Sequence, residues 1–338
     1  MATASSQSQI GYVQLESAYG TVPNGTGTAT VANGDAFRLI KLVTKADTGL
    51  IARQAKTTTL SQTAGVLGKK SGTWSALVEL AGSGAAGTAP DIDAFLQAGF
   101  GKAGSVSAGV SVSYALDDLS PSLAIYNFRD PSTMEQLLAL GAVVDSMRLS
   151  ITQESSTIEF SGPCRYVIDH DGFASLDATA KGGLTSFPAR PSSPTYAGVP
   201  ALGLYGSATL DSAAYTTLRS LNINVEFARS LPSDILFNGA YPGPPQQVTR
   251  KVTVDWSMTD EDTAALKAMK VKARAKTGFA MSFVIGATAG NIWTVGLAGC
   301  QATSPDYDDS QPSWVTNFSA VANASSATAK DEMTLVCT

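Results

Sequence analysis

Apolar and polar residues alternate in many short segments of the chain, and this alternation restricts the fold more than any other feature. Residues 221–227 and 251–256 are clean examples, and residues 106–114 come close to the same pattern. A period of two residues is typical of a β-strand with one buried face and one wet face. Other segments with strand character are 37–43, 74–80, 147–152, 157–161, 279–285, 292–297, 314–321 and 333–337. The chain is therefore predicted to be all-β or β-dominated.

Helical signals are few and short. Residues 91–98 are one predicted helix. A capping box at 132–135 predicts a second helix over 136–140, and a similar cap that begins at Thr259 predicts the longest, over 260–274. This last segment has acidic residues near its start and basic residues near its end, as the helix dipole favours. All three are expected to pack locally against the strands.

A proline-rich stretch divides the chain. Residues 188–195 contain three prolines, which predict a stiff extended linker. Residues 1–187 are predicted to form one β module with an N-terminal arm. Residues 196–338 are predicted to form a second β module, either a repeat of the first or a decoration domain.

The two sides of the linker share some order. Residues 74–80 and 252–256 are strand segments that each lead to a predicted helix. Phe160-Ser-Gly-Pro-Cys164 resembles Leu297-Ala-Gly-Cys300, and an acidic turn follows each. Repeats of this kind indicate duplicated structural units. The sequence leaves both a duplication and a chance likeness open.

Two irregular segments are predicted at the surface. Residues 1–35 are rich in Ser, Thr, Gly and Ala and are expected to form a surface arm. Residues 228–250 separate two good strands and contain four prolines, and connections of this length are usually functional or disordered. Docking on a neighbouring molecule is the favoured interpretation, and a long hairpin tip is the alternative. The candidate contact residues are Ser233, Asp234, Phe237, Tyr241 and Pro244.

Residue types that carry most enzyme chemistry are scarce. The chain has one histidine, His170, and three widely spaced cysteines, which are interpreted as buried thiols. One histidine excludes two-histidine metal sites and most zinc enzymes. The stretch 82–87 has G-x-G-x-x-G spacing, but residues 88–90 separate it from the next helix, so a strand-to-helix loop explains it better than a dinucleotide site. The acidic clusters 169–171 and 306–309 are interpreted as solvated turns. No enzyme activity, cofactor or metal is predicted.

Charge and hydropathy limit which classes of partner and which locations the chain can have. Charged residues are 15% of the chain and the net charge is −5, which argues against a protein that binds nucleic acid tightly. The chain has no apolar run near the roughly 18 residues that span a bilayer. Its first residues also lack the basic start and apolar stretch of a secretory signal. We therefore expect neither membrane insertion nor secretion.

Three motifs resemble those of the tail tube, or major tail, proteins of long-tailed bacteriophages. They are Glu16-Ser-Ala-Tyr-Gly-Thr-Val-Pro23, the stretch from Trp74 to Phe100, and Tyr114-Ala-Leu with Ser120-Pro-Ser-Leu-Ala-Ile-Tyr126. The resemblance covers most of residues 10–165 and, more loosely, the second half. Tube proteins are often about half this length, so the second half is an extra module.

The resemblance implies a structural virion subunit with no enzymatic activity. Its fold would be a β-sandwich or partial barrel of the tail tube type, with short packing helices. Its inner sheet would join those of its neighbours around a lumen, in three-chain pseudo-hexameric rings or six-chain rings. Rings would stack through the candidate arm, with Thr44–Lys70 as a second arm. Implied partners are other copies, a tape-measure protein, tail terminator and distal tail proteins, and DNA in transit. The protein would be assembled in the host cytoplasm and reside in the virion tail.

Other classes remain open at this point. A secreted adhesion or carbohydrate-binding β module would also be rich in Ser and Thr and low in charge. The missing secretory signal and the unpaired cysteines argue against it. A capsid decoration or distal tail protein is possible within a virion. An enzyme has only the loop at 82–87 in its favour.

Overall fold

A computed structural model describes residues 6–23, 27–28, 30–53, 64–129, 136–232, 240–303, 305–309, 312–326 and 328–338. Strands dominate these residues, and the predicted β-dominated fold is confirmed. The strands before the proline-rich stretch are β1 Ile10–Leu15, β2 Gly27–Thr28, β3 Leu39–Ile51, β4 Val66–Glu79, β5 Ser105–Ser107, β6 Ser111–Ala115, β7 Leu123–Phe128, β8 Leu137–Ala142, β9 Ser146–Ile151, β10 Ser156–Cys164, β11 Tyr166–Asp169 and β12 Leu184–Ser186.

The strands after it are β13 Ser207–Leu210, β14 Ala213–Tyr215, β15 Leu218–Glu226, β16 Arg229–Ser230, β17 Gln246–Gln247, β18 Lys251–Thr259, β19 Phe279–Ile285, β20 Trp293–Ala302, β21 Asp306–Asp308, β22 Val315–Asn323 and β23 Thr334–Cys337. The described residues also contain the helices α1 Asp93–Phe100 and α2 Ala264–Ala275, with short 3₁₀ turns at Ser6–Ser8, Asn33–Asp35, Phe173–Ser175 and Gly203–Tyr205.

One large sheet runs through both halves of the chain. Its strand order is β14-β13-β19-β20-β22-β18-β15-β9-β10-β4-β3, with β21, β23, β6 and β5 attached at the side. Strands β9 and β15 join the halves in antiparallel register, with Ile151 opposite Leu221 and Ser146 opposite Glu226. A second sheet, β1-β7-β8-β11, covers the first half. Strand β6 of the first half also pairs with β23 of the second half, which ties the two together again.

Burial of alternating side chains explains these strands. In β18, Val252, Val254, Trp256 and Met258 are buried while the residues between them are less covered. The helices close the core against the sheet. In the first half, Phe95 of α1 stacks between Trp74 and Phe160, with ring centroids 5.7 and 5.1 Å away. Burial of rings of this size, with aromatic contacts, is a major source of stability in such a core.

The order of strands in the first half recurs in the second. The run β3-β4-β10 is followed beyond β9 in the same sheet by β15-β18-β22, and β22 pairs with both β20 and β21 as β10 pairs with β9. The covering sheet β1-β7-β8-β11 recurs as β13-β19-β20-β23. Helix α1 follows β4 and helix α2 follows β18, at the same point of each run.

Irregularities of pairing recur at matching places. The ladder β3–β4 shifts between Leu39 and Lys41, and β15–β18 shifts between Leu218 and Ser220. The ladder β7–β8 shifts between Leu123 and Ile125, and β19–β20 shifts between Phe279 and Met281. A bulge changes the bend and twist of a strand, so matching bulges give matching curvature.

Two details of the predicted helices are wrong. Residues 137–140 belong to β8, and every residue of this strand is buried, so the apolar run is a strand covered on both faces. The predicted capping box, residues 132–135, lies outside the described residues. The longest helix is capped by Thr263, whose side chain accepts a hydrogen bond from the Leu266 amide, because Thr259 is the last residue of β18.

Candidate assembly surface

Polar side chains cover one face of the large sheet where its two halves meet. Directly opposed residues of neighbouring strands share a face, and here the cross-strand rows are rich in Ser, Thr and Asn. We call these residues the polar face: Ser146, Arg148, Ser150, Glu159, Ser161, Ser220, Asn222, Asn224, Thr253, Asp255, Ser257, Asn317 and Ser319. Two grooves of about 420 and 410 Å³ follow it. The face is therefore polar and hollowed.

Two pairs of acidic and basic side chains face each other across neighbouring strands of the large sheet. Glu159 of β10 lies directly opposite Arg148 of β9, and Glu226 of β15 lies opposite Lys251 of β18. Opposite charges at such positions attract across the ladder. Because positive and negative groups are interspersed, this surface does not form the basic stripe that holds phosphates.

The large sheet has an open edge at each end of its repeated run. Strand β3 ends the sheet and pairs with β4 alone among the described strands. Strand β21 pairs with β22 alone among them, and it continues the line of β20 along β22. Lys41 and Lys45 of β3 and Asp306 of β21 are exposed. Open edges carry unpaired backbone groups that invite another strand.

The hairpin β3–β4 extends beyond the rest of the sheet. Pairing of β10 with β4 ends at Gly72, while β3 and β4 remain paired as far as Ile51 and Val66. Four large apolar side chains stand on this extension and are 53–70% exposed: Leu50, Ile51, Val66 and Leu67. A cluster of exposed apolar residues marks a contact surface. Residues 54–63 lie outside the described residues.

Comparison with protein families gives a match over nearly the whole chain. The family model described as phage tail tube protein matches residues 5–325. The chain belongs to the phage tail tube protein family. This family is structural, and membership implies a component of the virion tail that assembles with other copies into a tube. Comparison with curated proteins gives no significant match.

Tyr241 of the tail tube protein, one of the candidate arm residues, lies on the first half of its own chain. Its hydroxyl donates to Asp177 Oδ2 at 3.1 Å. Its ring meets that of Tyr166 edge-on, 5.4 Å between centroids, and the Arg165 guanidinium lies 5.4 Å from it. Burial, followed by the hydrogen bond to Asp177, raises the pKa of Tyr241 to about 12.

The remaining candidate arm residues give less information. Pro244 is exposed. Ser233, Asp234 and Phe237 lie outside the described residues. The role of this segment in contacts between subunits of the tail tube protein stays a prediction.

Arg229 joins the two halves of the tail tube protein, and no sequence motif pointed to it. The side chain is buried and donates from Nη1 to the Ala98 and Val144 carbonyl oxygens at 2.7 and 2.9 Å. Nη2 donates to the Gly99 and Leu119 carbonyl oxygens at 3.2 and 3.1 Å. Two of these acceptors lie at the C-terminal end of α1, where the helix dipole favours a cation. Burial lowers the pKa of Arg229 to about 10.

Glu16, within the first motif that resembles tube proteins, holds the N-terminal segment to the covering sheet. Its carboxylate accepts hydrogen bonds from the Gly20 and Gly141 amides, both at 2.7 Å, and from Ser122 Oγ at 2.6 Å. Burial raises the pKa of Glu16 to about 7, although these hydrogen bonds oppose the shift. The expectation of a surface arm over residues 1–35 is wrong at β1, because Tyr12 of this paired strand is fully buried.

The prediction of a turn at 306–309 is wrong, because Asp306–Asp308 form β21, whereas the stretch 82–87 and His170 lie outside the strands. The stretch 82–87 connects β4 towards α1, and the Gly84 amide donates to the Gly290 carbonyl oxygen at 3.1 Å. A Cβ on Gly82 would lie 2.0 Å from that same oxygen, so glycine is needed there for close packing of two loops. His170 lies 3.1 Å from Asp171 in an exposed turn. Neither of the helices that the structure describes is long and apolar enough to cross a membrane.

Proposed function

We propose that this chain is the subunit of tail tube rings, that the rings stack into a tube, and that the polar face lines a lumen through which DNA leaves the virion. The observation that carries the proposal is the repeated strand order. It supports two similar units that lie side by side in one sheet. Residues 1–187 and 196–338, on either side of the 188–195 linker, would be the two units.

The repeat favours rings of three chains. A ring of six similar units needs only three chains if each chain supplies two units. The β9–β15 pairing between the two units of one chain would then also describe the contact between neighbouring chains. Cyclic closure also removes the open edges of the sheet, which are otherwise sites of aggregation.

The polar face suits a wall past which DNA slides. Affinity for DNA comes mainly from lysine and arginine side chains that displace counterions from the phosphates. Interspersed acids such as Glu159 and Asp255 oppose that attraction, and the short Ser, Thr and Asn side chains keep the wall wet. Transient passage without specific binding follows.

Stacking would use the extensions of the sheet. The proposed contacts to the next ring are the apolar extension of β3 and β4 around Leu50 and Leu67, and the segment 233–246. A tape-measure protein in the lumen, with tail terminator and distal tail proteins at the two ends, completes the proposed assembly in the host cytoplasm.

Negative-stain electron microscopy of the purified protein over a concentration series tests the proposal. Rings or tubes with a central hole and threefold symmetry are expected. A monomer at all concentrations, also after addition of the tape-measure protein, contradicts it. Deletion of 233–246 should leave a folded subunit that forms no long tubes, and long tubes from this variant would show that the segment does not stack rings.

A further inference from the structure

We propose that β21 of one copy pairs antiparallel with β3 of the next copy, in the register that β9 and β15 use within the chain. The proposal rests on the ring described above and names its contact. It commits to a second copy of this chain as the partner of both open edges.

The matching bulges fix which residues correspond. In the ladders β7–β8 and β19–β20, Ala139 corresponds to Leu297 and Ala142 to Cys300. Both differences, 297 minus 139 and 300 minus 142, equal 158. Strand β9, which follows β8, therefore corresponds to residues that include β21.

An independent ladder agrees with this correspondence. Arg148 lies opposite Glu159 in the ladder β9–β10. Adding the same 158 to both gives Asp306 opposite residue 317, and Asp306 is indeed paired with Asn317. Strand β21 therefore occupies the same position beside β22 that β9 occupies beside β10. On its other edge β9 pairs with β15, and the matching edge of β21 has no strand beside it among the described residues.

The shifts in the ladders β3–β4 and β15–β18 identify the second strand of the proposed junction between copies. Leu218 corresponds to Leu39 and Ser220 to Lys41, and both differences equal 179. Strand β15 therefore corresponds to β3. In β15 the edge away from β18 pairs with β9, whereas the matching edge of β3 has no strand beside it among the described residues.

These correspondences give the register between copies. Within the chain, Arg148 lies opposite Asn224. The matching pair between copies is Asp306 with Lys45, since 224 minus 179 is 45. Two residues further along β21, Asp308 faces Val43. This register follows from backbone pairing alone, and it places Asp306 directly opposite Lys45.

Charge complementarity supports this partner. Strand β21 reads Asp-Tyr-Asp, while β3 carries Lys41, Lys45 and Asp47 on one face, with Lys45 directly opposite Asp306 in this register. An edge strand with lysines resists pairing with arbitrary strands, and an acidic strand in register relieves that resistance. The Gln9 side chain donates to the Leu42 carbonyl oxygen at 2.9 Å, so the ladder between copies would begin at Val43.

The two edges of one chain cannot satisfy each other. They lie at opposite ends of the run β3-β4-β10-β9-β15-β18-β22, with the width of the whole run between them. Each copy therefore presents one edge to each of two neighbours. Such a head-to-tail contact closes into a ring when the rotation per copy allows it.

Cysteine crosslinking measures the register directly. The chain with both Lys45→Cys and Asp306→Cys should crosslink between copies when tubes are oxidised, because directly opposed residues have Cα atoms within disulfide reach. Covalent species should extend to three chains and stop there. The native cysteines are buried, so unmodified tubes serve as the background.

A matched control shifts one cysteine along the same face. Lys41→Cys with Asp306→Cys displaces the partners by four residues, roughly 13 Å, and should not crosslink. Crosslinks in this variant but not in the first would overturn the register while leaving the ring intact. Rings or tubes in which neither variant crosslinks would overturn the junction, whereas failure of the wild-type chain to assemble would overturn the proposed function itself.

Charge reversal gives a second measurement. Lys45→Asp alone and Asp306→Lys alone should each raise the concentration needed for assembly by about tenfold or more, since each places like charges in contact. The combined variant should recover most of the loss. Lys102→Asp, a reversal at an exposed lysine in the loop after α1, is the control and should assemble normally. Equal assembly of all four variants contradicts the pairing.

Discussion

Nη1 of Arg229 lies 2.7 Å from the carbonyl oxygen of Ala98, so a residue just after β15 holds the last turn of a helix in the other half of the chain. Four main-chain carbonyls accept from this one guanidinium. This buried cation is therefore a further link between the two halves, beside the ladders β9–β15 and β6–β23.

Replacement of Arg229 should therefore destabilise the whole chain. Arg229→Met leaves four carbonyls without their donor, three of them in buried hydrogen bonds, and we expect a loss of roughly 3 kcal/mol or more in the free energy of unfolding. Urea unfolding measures it. Arg148→Met on the polar face is the control, with an expected change within about 0.5 kcal/mol. A loss below about 1 kcal/mol for Arg229→Met would contradict the role assigned to it.

Glu16 should make stability depend on pH. Its folded-state pKa, about 7, lies above the ordinary value of 4.5, so the folded chain holds a proton that the unfolded chain has already released. This contribution is fully present below pH 4.5 and is lost as the pH rises to about 7. Wild type should lose roughly 2–3 kcal/mol more than Glu16→Gln across that range, measured by unfolding at a series of pH values. Parallel stability curves for the two proteins would show that the Glu16 carboxyl is not protonated in the folded chain.

The exposed extension of β3 and β4 should matter for stacking and not for folding. Leu50 and Leu67 are each 70% exposed, so Leu50→Ser with Leu67→Ser should change the free energy of unfolding by less than about 0.5 kcal/mol. Tubes should become shorter or be replaced by single rings in electron micrographs. Val106→Ser, at a residue that is 60% exposed elsewhere, is the control. Tubes of normal length from the double variant would remove this extension from the proposed stacking contact.

Added positive charge on the polar face should slow DNA. Asn222→Lys with Asn224→Lys gives a lumen wall with extra phosphate contacts, whereas Ala178→Lys, an exposed site on the first half, serves as the control. Isolated tubes of the double variant should retain DNA with a steeper dependence on salt. Equal retention by both variants would place the polar face away from the path of DNA.

The sequence predicted the strands better than their arrangement. Alternation in β15 and β18 is visible because one face of each is wet, and these strands were located closely. Strand β8 has no wet face, so its apolar run carried no period and was mistaken for a helix. Likewise Thr259 resembles a helix cap, but its place in β18 depends on pairing with residues far along the chain.

The candidate surface was harder to predict than the fold. The first suspected duplication compared two strands that each lead to a helix, one beginning near Trp74 and one near Val252. It agrees with the strand order. The second, which matched Phe160 with Leu297, does not, because β10 occupies the place of β22 and not of β20. Arg229 was missed because its partners are main-chain carbonyls, and these leave no trace in residue identity.

The pairing of β6 with β23 has a consequence for how the protein is made. The ladder between residues 112–115 and 334–337 can form only after the ribosome has synthesised and released nearly all of this sequence. Contacts that span such a distance along the chain are slow to form. A nascent fragment that ends before residue 334 therefore lacks this ladder between the two halves.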